Sequence, residues 1–167
     1  MARAAGNSRP GPAPSGPVRQ ASQHGPLVIH EHRVRYHETD AQGFLFNSRY
    51  LELADVAMTE FFRDLGWTYP QLNEIGVDPS VVAAQLTFQR PIRFDQVVQV
   101  HVQCTRVGRS SFTLETTYST DEHVAARAEI TYVNVTAASA RSRPLPEAIA
   151  HLLGSVGSPH NEPGDPP

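Results

Sequence analysis

The chain has 167 residues, 40% hydrophobic and 19% charged, proportions that suit one soluble globular domain with a sizeable core. A formal net charge of -3 argues against nucleic acid as the main partner, and the single Cys104 rules out an internal disulfide. No apolar run reaches the roughly 18 residues of a membrane span. Arg3 and Arg9 have no apolar stretch behind them, so no secretory signal is expected and a cytoplasmic location is. All 14 basic residues are arginine, so any cationic contact to a phosphate or carboxylate uses a planar guanidinium.

In chain order, residues 1–26 are rich in Pro, Gly, Ala and Ser and lack a hydrophobic period, which predicts a disordered tail. Val28–Tyr36 alternates as a strand, with Val28, His30, His32, Val34 and Tyr36 on one face. A polar turn follows at His37–Gly43. From Ser48 to Leu65 the period becomes helical: Tyr50, Ala54, Ala57, Met58, Phe61 and Leu65 recur at steps of three and four. Leu51, Leu53 and Phe62 widen this stripe, so the helix is covered on more than one side. Asn47 or Ser48 suits its N-cap, and Gly66 its end.

A loop through Pro70 and Pro79 leads to a strand at Val81–Gln89, broken at Pro91. Gln96–Arg106 turns Val98, Val100, Val102 and Cys104 inward. Ser110–Thr120 groups Phe112, Leu114, Thr116 and Tyr118 on one face, and Val124–Thr136 groups Val124, Ala126, Ala128, Ile130 and Tyr132. Turns at Gly108 and Thr120–His123 make these three strands an antiparallel meander. Pro144–Leu153 reads as a short terminal helix with Pro144 in its first turn, and residues 154–167 as a second disordered tail. The folded unit is therefore residues 27–153. One helix with a wide apolar face needs a sheet to wrap it. The fold class is α+β, a curved antiparallel sheet of about five strands around one long central helix.

The chemistry concentrates in His37-Glu38-Thr39-Asp40-Ala41-Gln42-Gly43-Phe44-Leu45-Phe46-Asn47-Ser48-Arg49-Tyr50. An isolated Asp-x-x-Gly is ordinarily a β-turn and nothing more. Here it sits just ahead of a helix whose first amides point outward as donors and whose macrodipole adds about half a positive charge. A carboxylate beside such donors can attack a carbonyl or deprotonate water while the amides hold the oxyanion. Gly43 allows the sharp turn that brings both groups to one carbonyl. Tyr50 lies on the apolar stripe, which favours packing. His37 suits a solvated loop, although it could tune Asp40. Glu52, Asp55 and Glu60 read as solvated or interface carboxylates. His30, His32, His101 and His123 lack metal-ligand spacing, so no metal and no cofactor are expected.

This stretch resembles the 4-hydroxybenzoyl-CoA thioesterase-like branch of the hotdog superfamily. The likeness rests on Asp40, Gly43, the apolar Phe44–Phe46 and Tyr50. Arg90-Pro91-Ile92-Arg93-Phe94-Asp95 is similar to that family's bend between two strands, and Arg106-Val107-Gly108-Arg109-Ser110-Ser111-Phe112 to its following hairpin. The resemblance spans roughly Ile29–Val135. It implies hydrolysis of an acyl-CoA thioester assisted by Asp40, with the Asn47 amide as oxyanion donor. It further implies substrate contacts from Phe44, Phe46, Tyr50, Arg106 and Arg109. Phe61 and Phe62 are expected to join Phe44 and Phe46 in lining the cavity. It implies a homodimer or homotetramer with sites at the subunit interface. A related branch that releases chains from carrier proteins has Asn in place of Asp40, so Asp40 favours acyl-CoA. An acyl-carrier-protein substrate and a non-catalytic acyl-binding module remain alternatives. An enoyl-thioester hydratase would resemble Asp-x-Asn-x-x-His, but Gln42 and Leu45 depart from that pattern.

Overall fold

The structure, a computed structural model, describes residues 28–156 apart from residue 122. Both predicted tails lie outside the described residues except for 154–156, which continue the last helix. In chain order the elements are β1 (Val28–Arg33), a 3₁₀ turn (Tyr36–Glu38), α1 (Asn47–Asp64), α2 (Tyr69–Glu74) and β2 (Pro79–Phe88). Then come β3 (Val97–Val107), β4 (Ser111–Thr120), β5 (His123–Thr136), the short β6 (Arg141–Ser142) and α3 (Glu147–Val156). The main sheet runs β1-β3-β4-β5-β2, every neighbouring pair antiparallel, with β6 beside β5.

The sheet curls around α1 because one face of it is apolar and α1 is apolar over a wide arc. Tyr50, Leu53, Ala54, Ala57, Met58, Phe61 and Phe62 of α1 are buried in one cluster with Val98, Val100, Phe112, Leu114, Tyr118, Ile130 and Tyr132. Its centre is aromatic: Phe62 meets Phe112 edge-on at 5.8 Å, and Phe112 stacks on Tyr132 at 5.2 Å. Each such pair adds about 0.5–1.5 kcal/mol beyond the area it buries. Ile149 and Leu153 of α3 complete the same core. One polar staple closes the far end. Buried Asn134 accepts the Asp78 N–H at 2.9 Å and donates to the carbonyls of Gly76 and Pro144.

The meander and the alternation along β3, β4 and β5 agree with the sequence reading. Several boundaries differ for local reasons. α1 starts at Asn47 with Phe46 as its N-cap residue, and no side chain caps it, because Asn47 and Ser48 already lie inside the helix. The expected loop contains α2, where Thr68 and Gln71 form a reciprocal capping box around Tyr69 and Pro70. The terminal helix starts after Pro146 rather than at Pro144, and it runs to Val156, three residues past the expected end. No described helix is long and apolar enough to cross a membrane.

Candidate active site

The segment between β1 and α1 is a small hydrogen-bonded hairpin. The Asp40 N–H donates to the Phe44 carbonyl at 2.8 Å, and the Phe46 N–H to the Glu38 carbonyl at 2.9 Å. At the tip, the Gly43 N–H closes a β-turn onto the Asp40 carbonyl at 3.0 Å, with Gly43 at φ +76°. The hairpin docks on the β2–β3 connection through the Leu45 N–H, which reaches the Ile92 carbonyl at 2.7 Å. Arg93 lies with its guanidinium 4.8 Å from the centre of the Phe44 ring.

The two carboxylate oxygens of Asp40 differ in their surroundings. Its Oδ1 accepts the N–H groups of Gln42 (2.8 Å) and Phe44 (3.1 Å), the ordinary work of a turn aspartate. Its Oδ2 has no partner among the described residues. The start of α1 stands beside it. The Asn47 N–H lacks an acceptor among the described residues, as the first amides of an uncapped helix do.

These groups share an open pocket of about 470 Å³ lined by Asp40, Phe44, Leu45, Phe46, Asn47, Tyr50 and the segment Phe88–Pro91. Its size is that of a small-molecule site. Tyr50 forms the floor. It meets Phe88 and Tyr118 edge-on, each at 5.1 Å, and its carbonyl accepts the Tyr118 hydroxyl at 2.6 Å. Burial pushes the Tyr50 phenol up to about 12, so it stays neutral as an acid–base group across the physiological range.

The structure thus gathers Asp40, Phe44, Phe46, Asn47 and Tyr50 from the expected set, with Gly43 shaping the loop behind them. Arg106 and Arg109 are not among the pocket's lining residues. They flank the β3–β4 turn, whereas the pocket meets the sheet near Phe88, opposite Ala126 and Tyr118. About seven residues of β4 separate those levels, roughly 23 Å at the rise of a strand. Phe61 and Phe62 do not line the pocket either, because they face the sheet and are core residues. Glu52 and Glu60 sit in ion pairs with Arg49 and Arg63 on the exposed side of α1. Asp55, raised by partial desolvation, lies outside the pocket lining as well. No cluster of His, Cys, Asp or Glu among the described residues could hold a metal ion.

Sequence reasoning missed Phe88, Gln89, Arg90 and Pro91 as a pocket wall. The available signal was Pro91, which stops strand patterning just after β2; the structure then leaves the large aromatic Phe88 52% exposed. Arg90 is the arginine among the pocket's lining residues, where the resemblance implied Arg106 and Arg109.

A curled antiparallel sheet around one central helix, with an aspartate loop leading into that helix, defines a hotdog-fold thioesterase-type protein. The chain belongs to the thioesterase-like superfamily, whose model matches residues 34–153, well over half of its length. A protein of Aquifex aeolicus (strain VF5), provisionally named an esterase, is 32% identical over 85 residues, 51% of this chain and 66% of that protein. The match thus spans just under two thirds of that relative's length. The 1,4-dihydroxy-2-naphthoyl-CoA hydrolase of Prochlorococcus marinus (strain MIT 9303) is 26% identical over 132 residues, 74% of this chain and 87% of the hydrolase. Among solved structures, a thioesterase from Thermus thermophilus complexed with coenzyme A and Zn is similar with a TM-score of 0.65. It is 25% identical, over 76% of this chain and 92% of that one.

Proposed function

We propose that the protein hydrolyses acyl-CoA thioesters to the free acid and coenzyme A in the pocket beneath the Asp40 loop. The observation that carries this reading is that Asp40, whose Oδ2 has no partner among the described residues, and Asn47, whose N–H is open among them, line one pocket. The thioester carbonyl oxygen sits at the Asn47 N–H and its carbon in reach of Oδ2. On one route Oδ2 takes a proton from water, and the hydroxide adds to the carbonyl carbon. The tetrahedral oxyanion rests on the amide and collapses, breaking the C–S bond, and the proton held on Oδ2 passes to the leaving sulfur, which releases the thiol and restores the carboxylate. On the other, Oδ2 adds directly, the C–S bond breaks, and water hydrolyses the anhydride. Both routes use the same two groups. The pantetheine arm is common to coenzyme A and carrier proteins, so a carrier-bound acyl chain is the neighbouring substrate class.

The active form in this reading is a homodimer or a pair of dimers. Edge strand β2 exposes Val81 and Val82, and α1 exposes Leu51 and Val56, apolar surface that a second copy would cover. Arg106 and Arg109 would then serve a pocket only across a subunit boundary, while Arg90 serves its own. A panel of aryl, short-chain and long-chain acyl-CoAs, followed by thiol release, tests the function. Turnover of at least one class is expected, and none from any class overturns it. Asp40→Asn is expected to lose about 10³-fold in kcat/KM, roughly 4 kcal/mol, with its circular dichroism unchanged. Full activity in that variant removes Asp40 from the mechanism.

A further inference from the structure

Glu38 stands two residues before Asp40, outside the pocket lining, yet four hydrogen bonds converge on it, as many as on Asp40. Its Oε2 accepts the Arg35 N–H at 2.7 Å and bonds His32 Nε2 of β1 at 2.8 Å. Its own carbonyl accepts the Phe46 N–H at 2.9 Å, and Phe46 is the residue from which α1 starts. The carboxylate and the His32 ring are both well covered, at 12% and 17% side-chain exposure. A covered ion pair is weak evidence for stability, since taking both charges out of water offsets much of their attraction. What this one does achieve is geometric. It ties three pieces of chain together: the end of β1, the base of the Asp40 hairpin and the first residue ahead of α1.

We infer that Glu38 is a positioning residue, which sets the Asp40 carboxylate against the amides at the start of α1. This rests on the thioesterase reading above. Leu45 is the one buried apolar side chain of the Asp40 loop among the described residues and Phe44 is half-buried, so the loop's placement leans on hydrogen bonds at its base. Without the Glu38 carboxylate, the 3₁₀ turn loses its link to His32 and to the Arg35 N–H. The carbonyl that holds Phe46 is then free to shift. Displacements on the order of 1 Å between reacting groups cost about 100-fold in rate.

The test separates positioning from binding and from folding. Glu38→Ala is expected to lower kcat about 10- to 100-fold with KM within about threefold, because the pocket walls stay in place. Glu38→Gln is expected to recover most of kcat, since its amide oxygen accepts from the same two donors. His32→Phe, which removes one tether and keeps a ring, is expected to lose less than Glu38→Ala. Amide hydrogen exchange gives a readout independent of turnover: the Phe46 N–H should exchange faster in Glu38→Ala and at the wild-type rate in Glu38→Gln. Glu38→Ala with kcat within twofold of wild type, or Glu38→Gln as impaired as Glu38→Ala, overturns the inference. Absence of thioester turnover in the wild type overturns the functional reading instead. Unchanged Phe46 exchange in Glu38→Ala overturns the tether on its own.

Discussion

The core beneath the sheet and the loop above the pocket are built by different means. Between α1 and the strands, order comes from packing: Phe62, Phe112, Tyr118 and Tyr132 are all 1% exposed or less, the rings of Phe62, Phe112 and Tyr132 touch in series, and Tyr118 meets Tyr50. Between β1 and α1, order comes from hydrogen bonds. Residues 35–44 contain no buried side chain, and their amides and carboxylates bond one another in place of a core. Packing is indifferent to small changes of angle but intolerant of lost volume. A bonded loop tolerates lost volume and is sensitive to angle. Damage to the first should appear as stability, and damage to the second as rate.

The largest stability effect is expected in the core. Phe62→Ala removes a fully buried ring at the junction of α1 and β4, and such truncations cost about 3–5 kcal/mol. The denaturant midpoint should fall accordingly with the slope unchanged. At temperatures where the variant remains folded, kcat should stay near wild type, since Phe62 is not among the pocket's lining residues. A variant that keeps its stability but loses its rate would break the division.

That division also explains what could be read from the sequence. The alternation in Val98–Cys104, Phe112–Tyr118 and Val124–Tyr132, and the helical steps from Tyr50 to Leu65, are packing signals repeated many times, so the strands and the helix could be placed in advance. The site loop was legible only as a motif. Asp40 and Gly43 mark a turn in any protein, and their relevance came from the helix behind them and the family likeness. What escaped were contacts between distant segments. Phe88–Pro91 reaches the pocket because β2 pairs with β5 in one register, and no local pattern encodes that register. The same absence left the place of Arg106 and Arg109 relative to the pocket open: a basic hairpin tip looks alike at either end of a sheet. Glu38 went unremarked because its value lies in bonds to His32 and Phe46, residues six before it and eight after.

A smaller effect should come from the loop tip. Gly43 sits at φ +76° with open space where a Cβ would go, so backbone conformation alone resists substitution. Gly43→Ala is expected to lose about 1–2 kcal/mol in denaturant unfolding, and Gly43→Asn less, because Asn tolerates this region. Equal losses for the two would mean that the space, and not the dihedral, is limiting.

The smallest expected effect is a pH dependence of stability, and it sharpens the comparison because it belongs to the loop alone. Burial pushes the Glu38 carboxyl up. The Arg35 N–H, the bond and charge of His32 and the charge of His37 together outweigh burial, and the carboxyl sits below its ordinary value. A carboxylate with a depressed folded-state pKa stabilises the protein above its unfolded value, about 4.3. That contribution fades as pH falls through the lower folded value, since in this window the unfolded chain binds more protons. Glu38→Gln carries no such titration. The stability gap between wild type and Glu38→Gln should therefore narrow as pH falls below about 4.3. Unfolding curves for the two proteins between neutrality and that range provide the check. A gap that widens on acidification would mean that the Glu38 carboxylate is destabilised in the fold, and that the loop is held by its backbone bonds alone.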